Sequence, residues 1–206
     1  MNYLVCKTDI GLSRDSNIEL LRLVCMFFIV CHHFCVHAVF PETLDSYVPL
    51  SSGVVLSTII EGFLFIGVNC FVLISGYYGV KLKKKSLLNL WLTCAVYGLI
   101  IYLVHLRLDY ATIGKGLIYN SLLVFSHSSW WYIQAYLILL LLSPILNEAI
   151  EHLGKEKHQY VIAMLLIMQI YFGNFWQCLL FDTTGYNALN FVLLYFVGQY
   201  IKRYVP

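Results

Sequence analysis

The sequence predicts an all-α polytopic membrane protein: a transmembrane helix bundle of about six spans, with both termini on the inner side of the membrane. Three observations carry this reading. Of 206 residues, 60% are hydrophobic and only 12% charged, against about a quarter charged in a soluble domain, and the mean hydropathy is +0.77. The apolar residues fall in runs long enough to cross hydrocarbon, divided by short polar stretches. The basic residues fall almost entirely on alternate connections.

In chain order, residues 1–16 are a short polar leader with Lys7 and Arg14. No small-residue cleavage site follows the first apolar run, so the first helix is expected to remain as a signal anchor. That helix runs from about Asn17 to Phe40, and Pro41 with the acidic PETLD stretch ends it. The second spans about Gly53 to Tyr78, interrupted by Glu61 and Asn69, which lie nearly on one face and are expected to point inward. The basic run Lys81, Lys83, Lys84 and Lys85 follows, then a third helix from about Ser86 to Leu106. Within the longer connection 107–129, Ile113 to Val124 suits a short interfacial helix.

The fourth helix begins at the aromatic pair Trp130-Trp131 and ends near Asn147, just past Pro144. The charged EHLGKEKH segment then reads as a loop. A fifth helix covers about Gln159 to Tyr171. A loop with Trp176 and Asp182 leads to a sixth, about Asn187 to Tyr200, closed by Lys202 and Arg203. The last two are short for a full span of about 20 residues.

Orientation follows from the 13 Lys and Arg residues. With the N-terminus inside, eleven of them lie on inner segments and only Arg107 and Lys115 on outer ones. That asymmetry is the positive-inside pattern for N-in, C-in and six spans. With a net charge of +2 and this placement, membrane lipids are expected partners and nucleic acid is not. Seven cysteines (Cys6, Cys25, Cys31, Cys35, Cys70, Cys94 and Cys178) form no CxxC pair, and most sit in apolar segments as buried thiols.

The chemistry centres on the first helix, SNIELLRLVCMFFIVCHHFCVH. Arg22 and His33 are eleven residues apart, which is roughly three turns plus 20°, so both belong to one face with a rise of about 16 Å between them. A fixed cation at the membrane edge suits a phosphate. A titratable imidazole about halfway in suits a general base or acid at a reacting atom. A phosphopantetheine arm has about the reach to join the two. Glu19, three residues before Arg22, is placed to pair with it.

His33 and His37 are spaced for a metal, but no matching second set lies in the membrane, so no metal is expected. His32 points roughly 100° away and is expected to make a helix–helix hydrogen bond. The lysine run suits anionic headgroups or ligand phosphates. Ser75-Gly76-Tyr77 suits close helix packing. Trp130, Trp131 and Tyr132 suit an interfacial belt or a surface for stacking sugar rings.

Several of these segments resemble the membrane-bound acyltransferase 3 family, of the bacterial surface-polysaccharide O-acetyltransferase type. IELLRLVCMFFIVCHHF is similar to its first helix, an arginine and then a histidine after ten residues, here Arg22 and His33. GVNCFVLISGYYGVKLKKK resembles its second-helix ending, an apolar run into Ser-Gly-aromatic before a basic loop. WWYIQAYLILLLLSPILN resembles its Trp-led helix ending near Ser-Pro, and FVLLYFVGQYIKRY a later helix.

The resemblance implies transfer of an acyl group, usually acetyl, from acyl-CoA to a hydroxyl of a cell-surface polysaccharide or lipid-linked sugar, in a bacterial inner (plasma) membrane. It implies acetyl-CoA as co-substrate, with no metal. By it, His33 would be the catalytic base. Arg22 would anchor the donor, with Lys83, Lys84 and Lys85 as helpers, and Ser75, Gly76, Tyr77 and Trp131 would line the cavity.

The family's members resemble larger bundles than six helices. Residues 1–206 are therefore read as a single membrane acyltransferase domain lacking the C-terminal helices, where a partner for the histidine would sit; a partner chain supplying them is one expectation. Two rival readings are a truncated, non-catalytic membrane protein of the same fold, and a proton-coupled transporter using His33, His37 and Glu61. The second predicts broken helices or an inverted repeat, and the sequence has neither.

Overall fold

The computed structural model describes residues 16–39, 52–107, 131–172 and 187–205, and the structural statements below concern those residues. They form six α-helices, with no strand among them: α1 Ser16–Phe34, α2 Ser52–Tyr78, α3 Lys84–Arg107, α4 Trp131–His152, α5 Lys155–Ile170 and α6 Ala188–Tyr204. Four segments are long and apolar enough to cross a membrane: Ser16–Ala38, Val55–Tyr78, Lys84–Val104 and Trp131–His152. The PETLD stretch, the segment from Ile113 to Val124, Trp130, Trp176 and Asp182 lie outside the described residues.

The helix ends are set by local chemistry. α1 opens with Glu19 in its first turn, where a negative charge meets the positive end of the helix dipole. Its end corrects the reading of one helix to Phe40: from Cys35 to Val39 the turn is π-helical, the wider i→i+5 form. α2 stops because Gly79 adopts φ +78°, a left-handed conformation that glycine reaches without a Cβ penalty. The Gly79 N–H then bonds back to the carbonyls of Ser75 (3.1 Å) and Gly76 (3.0 Å), an αL cap. At the start of α6, the Asn187 side chain accepts a hydrogen bond from the Asn190 N–H at 2.8 Å.

α4 corrects a second expectation. It does not end near Asn147, just past Pro144, but continues to His152. Proline removes the N–H that would bond the Leu140 carbonyl. Ser143 replaces it, donating from Oγ to the Leu140 oxygen at 2.8 Å. With that carbonyl satisfied, the helix passes through the proline.

The charged EHLGKEKH segment is consequently not a loop. Only Leu153 and Gly154 separate α4 from α5, and the segment's Lys155, Glu156 and Lys157 are the opening turn of α5. Long straight-chain residues of this kind are good helix formers.

The chain divides into two compact units, Met1–Ile74 and Ser75–Pro206, with the boundary in the last turns of α2. In the first unit, α1 packs on α2 where Gly67 is buried. A Cβ on Gly67 would sit 2.9 Å from the Cys25 carbonyl oxygen and 3.0 Å from Phe28 Cβ. This is the close approach that small residues allow between membrane helices. Leu20, Leu23, Phe27, Val30 and Phe34 line an exposed apolar stripe along α1, which a bilayer solvates as readily as a protein core does.

The second unit is organised around α6, whose Phe191, Leu193, Tyr195, Phe196, Gly198 and Gln199 are buried. Leu139, Leu140 and Ile150 of α4 complete that core.

Candidate functional site

The first unit carries the Arg22–His33 stripe. Because α1 is unbroken from Ser16 to Phe34, helical geometry keeps the two residues on one face, about 16 Å apart along the axis. Arg22 Nη1 lies 3.2 Å from Glu19 Oε1, an i, i+3 pair more than a third exposed on both sides. Such a pair adds little stability. His33 is exposed on this unit. Its ring lies 5.9 Å from His37, nearly parallel at 5°, and 5.6 Å from His32.

His32 faces the other way, toward α2. Its Nδ1 is 2.6 Å from Glu61 Oε2, and both side chains are mostly buried, at 16% and 19% exposure. Phe65 packs edge-on against the His32 ring at 5.6 Å. The second carboxylate oxygen, Glu61 Oε1, is buried with no hydrogen-bond partner among the described residues. A carboxylate on Nδ1 orients an imidazole and selects its tautomer. Here it does more. Together with the Gly67 contact, it resists rotation of α1 about its axis and so sets the direction of the Arg22–His33 stripe.

The second unit contains a polar network at the end of α2. The Tyr195 hydroxyl donates to Asn147 Oδ1 and accepts from the Val80 N–H at 3.1 Å. Asn147 Nδ2 donates to the Val80 carbonyl at 2.9 Å, and Gln199 Nε2 donates to the Gly76 carbonyl at 2.6 Å. Gly76 is buried so closely on α6 that a Cβ would meet Tyr195 Cα at 2.9 Å. Beside this network opens a cavity of about 590 Å³ whose lining includes Lys81, Asn147, Glu151, Gln199, Lys202 and Arg203. Arg203 Nη1 also donates to the Ile150 carbonyl at 2.8 Å.

His158, at the start of α5, is fully buried. Its Nε2 lies 3.0 Å from the Phe196 carbonyl, which can only accept, so the proton is on Nε2. Its Nδ1 is buried with no partner among the described residues. The rings of Phe196, Tyr200 and Tyr204 surround it at 5.5 to 6.0 Å.

A family model described as an acyltransferase domain, that of the acyltransferase 3 family, matches residues 15–206. The chain belongs to the acyltransferase 3 family. No curated protein and no solved structure matches it. Membership implies transferase chemistry, with an acyl donor and an acceptor.

Of the residues this acyltransferase-family chain was expected to use, Arg22 and His33 share α1. Gly76 lies at the crossing of α2 with α6, and the residues after Tyr77, namely Tyr78 and Gly79, line the cavity. Trp131 is half-buried, its ring 6.2 Å from Phe191. Lys83, Lys84 and Lys85 are exposed. Lys84 edges an apolar groove with Leu88, Trp91 and Leu141, whereas Lys81 alone of the basic run lines the cavity.

The helix–helix bond expected of His32 is present. Its pairing with Glu61, and the Tyr195–Asn147–Gln199 network, were not anticipated. The one available signal was an amide or carboxylate inside an otherwise apolar helix.

Proposed function

We propose that this protein transfers an acetyl group from acetyl-CoA to a hydroxyl of a cell-surface polysaccharide or lipid-linked sugar in a bacterial inner membrane. The observation that carries the reading is the Arg22–His33 stripe on one unbroken helix of a chain belonging to the acyltransferase 3 family. Arg22, always charged, holds the donor's phosphates at one end. At the other end, His33 takes the proton of the acceptor hydroxyl as its oxygen attacks the thioester carbonyl. The carbon–sulfur bond then breaks. The thiolate leaves with the proton returned by the imidazolium, and the products are an ester and free CoA. His32 and Glu61 act through position, holding α1 so that His33 is presented.

An N-in orientation fits this chemistry, because the donor is cytoplasmic. Supporting it, the ends of α2, α4 and α6 meet around one cavity in the second unit, together with Lys81, Lys202 and Arg203. That clustering is what the positive-inside pattern expects of one face.

The test uses the full chain in nanodiscs with radiolabelled acetyl-CoA and a bacterial envelope glycan extract as acceptor. Arg22→Ala is expected to lose donor binding. His33→Ala is expected to keep binding and lose label transfer. Wild-type protein that neither binds the donor nor transfers label would favour the non-catalytic reading.

A further inference from the structure

We propose that His37 is a positioning residue for His33: its ring, stacked on the His33 ring by the π-helical turn that follows α1, holds the base in the orientation that transfer needs. The proposal rests on the acyl-transfer reading for what His33 does, and on the first unit alone for how the ring is held. A catalytic histidine is commonly oriented by a carboxylate or carbonyl on one ring nitrogen. The one carboxylate of α2 is already engaged elsewhere, since Glu61 Oε2 lies 2.6 Å from His32 Nδ1. Among the described residues no hydrogen bond reaches a His33 nitrogen. Its ring neighbours are His32 at 5.6 Å, tilted by 53°, and His37 at 5.9 Å, parallel to within 5°. His33 and His37 are both exposed on this unit, so packing does not fix them.

The stack is a product of the π-helical turn Cys35–Val39. In a regular α-helix, a residue four positions on is rotated about 40° past the first. The wider turn rotates the chain less per residue. His37 therefore comes closer to lying directly beyond His33, and the ring planes agree to 5°. Such turns are rare and are frequent at functional sites. A face contact also suits a base better than a hydrogen bond does. It restrains the plane of the ring and uses neither nitrogen. Nδ1 and Nε2 of His33 both stay available, one to take the proton of the acceptor hydroxyl and the other to keep its own. The restraint matters because a misplacement of about 1 Å can cost about a hundredfold in rate.

The experiment uses the full chain in nanodiscs, as the wild type, His37→Ala and His37→Phe. His37→Phe keeps an aromatic face and removes the nitrogens, whereas His37→Ala removes both. Solid-state NMR of the chain carrying isotope-labelled histidine reads the order of the His33 ring. Its signal among the seven histidines is assigned by its loss in His33→Gln. Label transfer from radiolabelled acetyl-CoA to the envelope glycan extract reads the rate.

The His33 ring is expected to be rigid in the wild type and in His37→Phe, and to gain motion in His37→Ala. In His37→Ala, kcat is expected to fall about tenfold with KM for acetyl-CoA within about twofold, and in His37→Phe to return to within about threefold of the wild type. A His33 ring as ordered in His37→Ala as in the wild type overturns the proposal. So does a His37→Phe chain as slow as His37→Ala. A wild type that transfers no label, while its ring follows the expected pattern, overturns the acyl-transfer reading and supports the contact, so the two failures are told apart.

Discussion

His32 and Glu61 join α1 to α2 through a 2.6 Å contact between Nδ1 and Oε2, deep in two apolar helices. Neither group is stable alone in that setting, since an unpaired buried carboxylate is costly in hydrocarbon. Glu61→Ala is expected to lower stability by about 3 kcal/mol, the usual size for breaking a buried pair by removing one partner. His32→Ala should behave similarly. The double variant should lose less than the sum, with a coupling of about 1–3 kcal/mol in thermal or denaturant unfolding. Additivity within about 0.5 kcal/mol would mean that the two side chains do not interact.

This pair also shows where sequence reading stops. The 100° offset of His32 from the Arg22 stripe follows from helical geometry and marked it as facing another helix. The identity of its partner depends on the relative register of α1 and α2, which hydropathy does not encode. Long apolar runs made four candidate spans legible for the same reason, as burial in lipid is a composition effect. The sequence places the end of α4 near Asn147, just past Pro144, because the rule for proline is local, while Ser143 restores the helix by a side-chain bond no periodicity reveals. The basic cavity was illegible because Lys81 and Arg203 come together only through packing onto α6.

Two glycines of α2 make a controlled comparison. Gly67→Ala places a Cβ 2.9 Å from the Cys25 backbone oxygen, whereas a Cβ at Gly62 meets nothing within 4 Å. Gly67→Ala is expected to destabilise by about 1–3 kcal/mol through helix displacement. Gly62→Ala should be neutral or stabilising by up to about 1 kcal/mol, from the better helix propensity of alanine. Unfolding midpoints in one detergent read both; equal effects would mean that the α1–α2 crossing is not close at Gly67.

Ser143 and Pro144 predict a rescue. Ser143→Ala leaves the Leu140 carbonyl without the donor that proline cannot supply, an expected loss of about 1–2 kcal/mol. In a Pro144→Ala background the backbone N–H returns, so the same serine substitution should become nearly silent. An unchanged loss in that background would show that Ser143 acts through packing instead.

Tyr195→Phe removes the hydroxyl that accepts from Val80 N–H and donates to Asn147. The buried Val80 N–H and the half-buried Asn147 Oδ1 each lose a partner, and a loss of about 1–3 kcal/mol is expected. Because Val80 lies just past α2, hydrogen exchange at Val80 should rise more than at Leu139 in the core of α4. Uniform acceleration at both would point to global unfolding rather than release of this connection.

His158 makes stability depend on pH. Burial, with the charge of Arg203 nearby, lowers its pKa from the ordinary 6.5, outweighing the bond to the Phe196 carbonyl that raises it. The neutral ring suits the site, since its Nε2–H is bonded and a proton on Nδ1 would find no acceptor among the described residues. The unfolded chain binds a proton as pH falls through about 6.5, while the folded chain resists until lower pH. Stability from the neutral ring is therefore full above 6.5 and lost as pH falls from there toward the lowered folded-state pKa. The unfolding midpoint of the wild type should fall over that window. His158→Gln, which retains a side-chain N–H donor but does not titrate, should lose that part of the slope while remaining folded. A slope unchanged by the substitution would assign the acid sensitivity to another group.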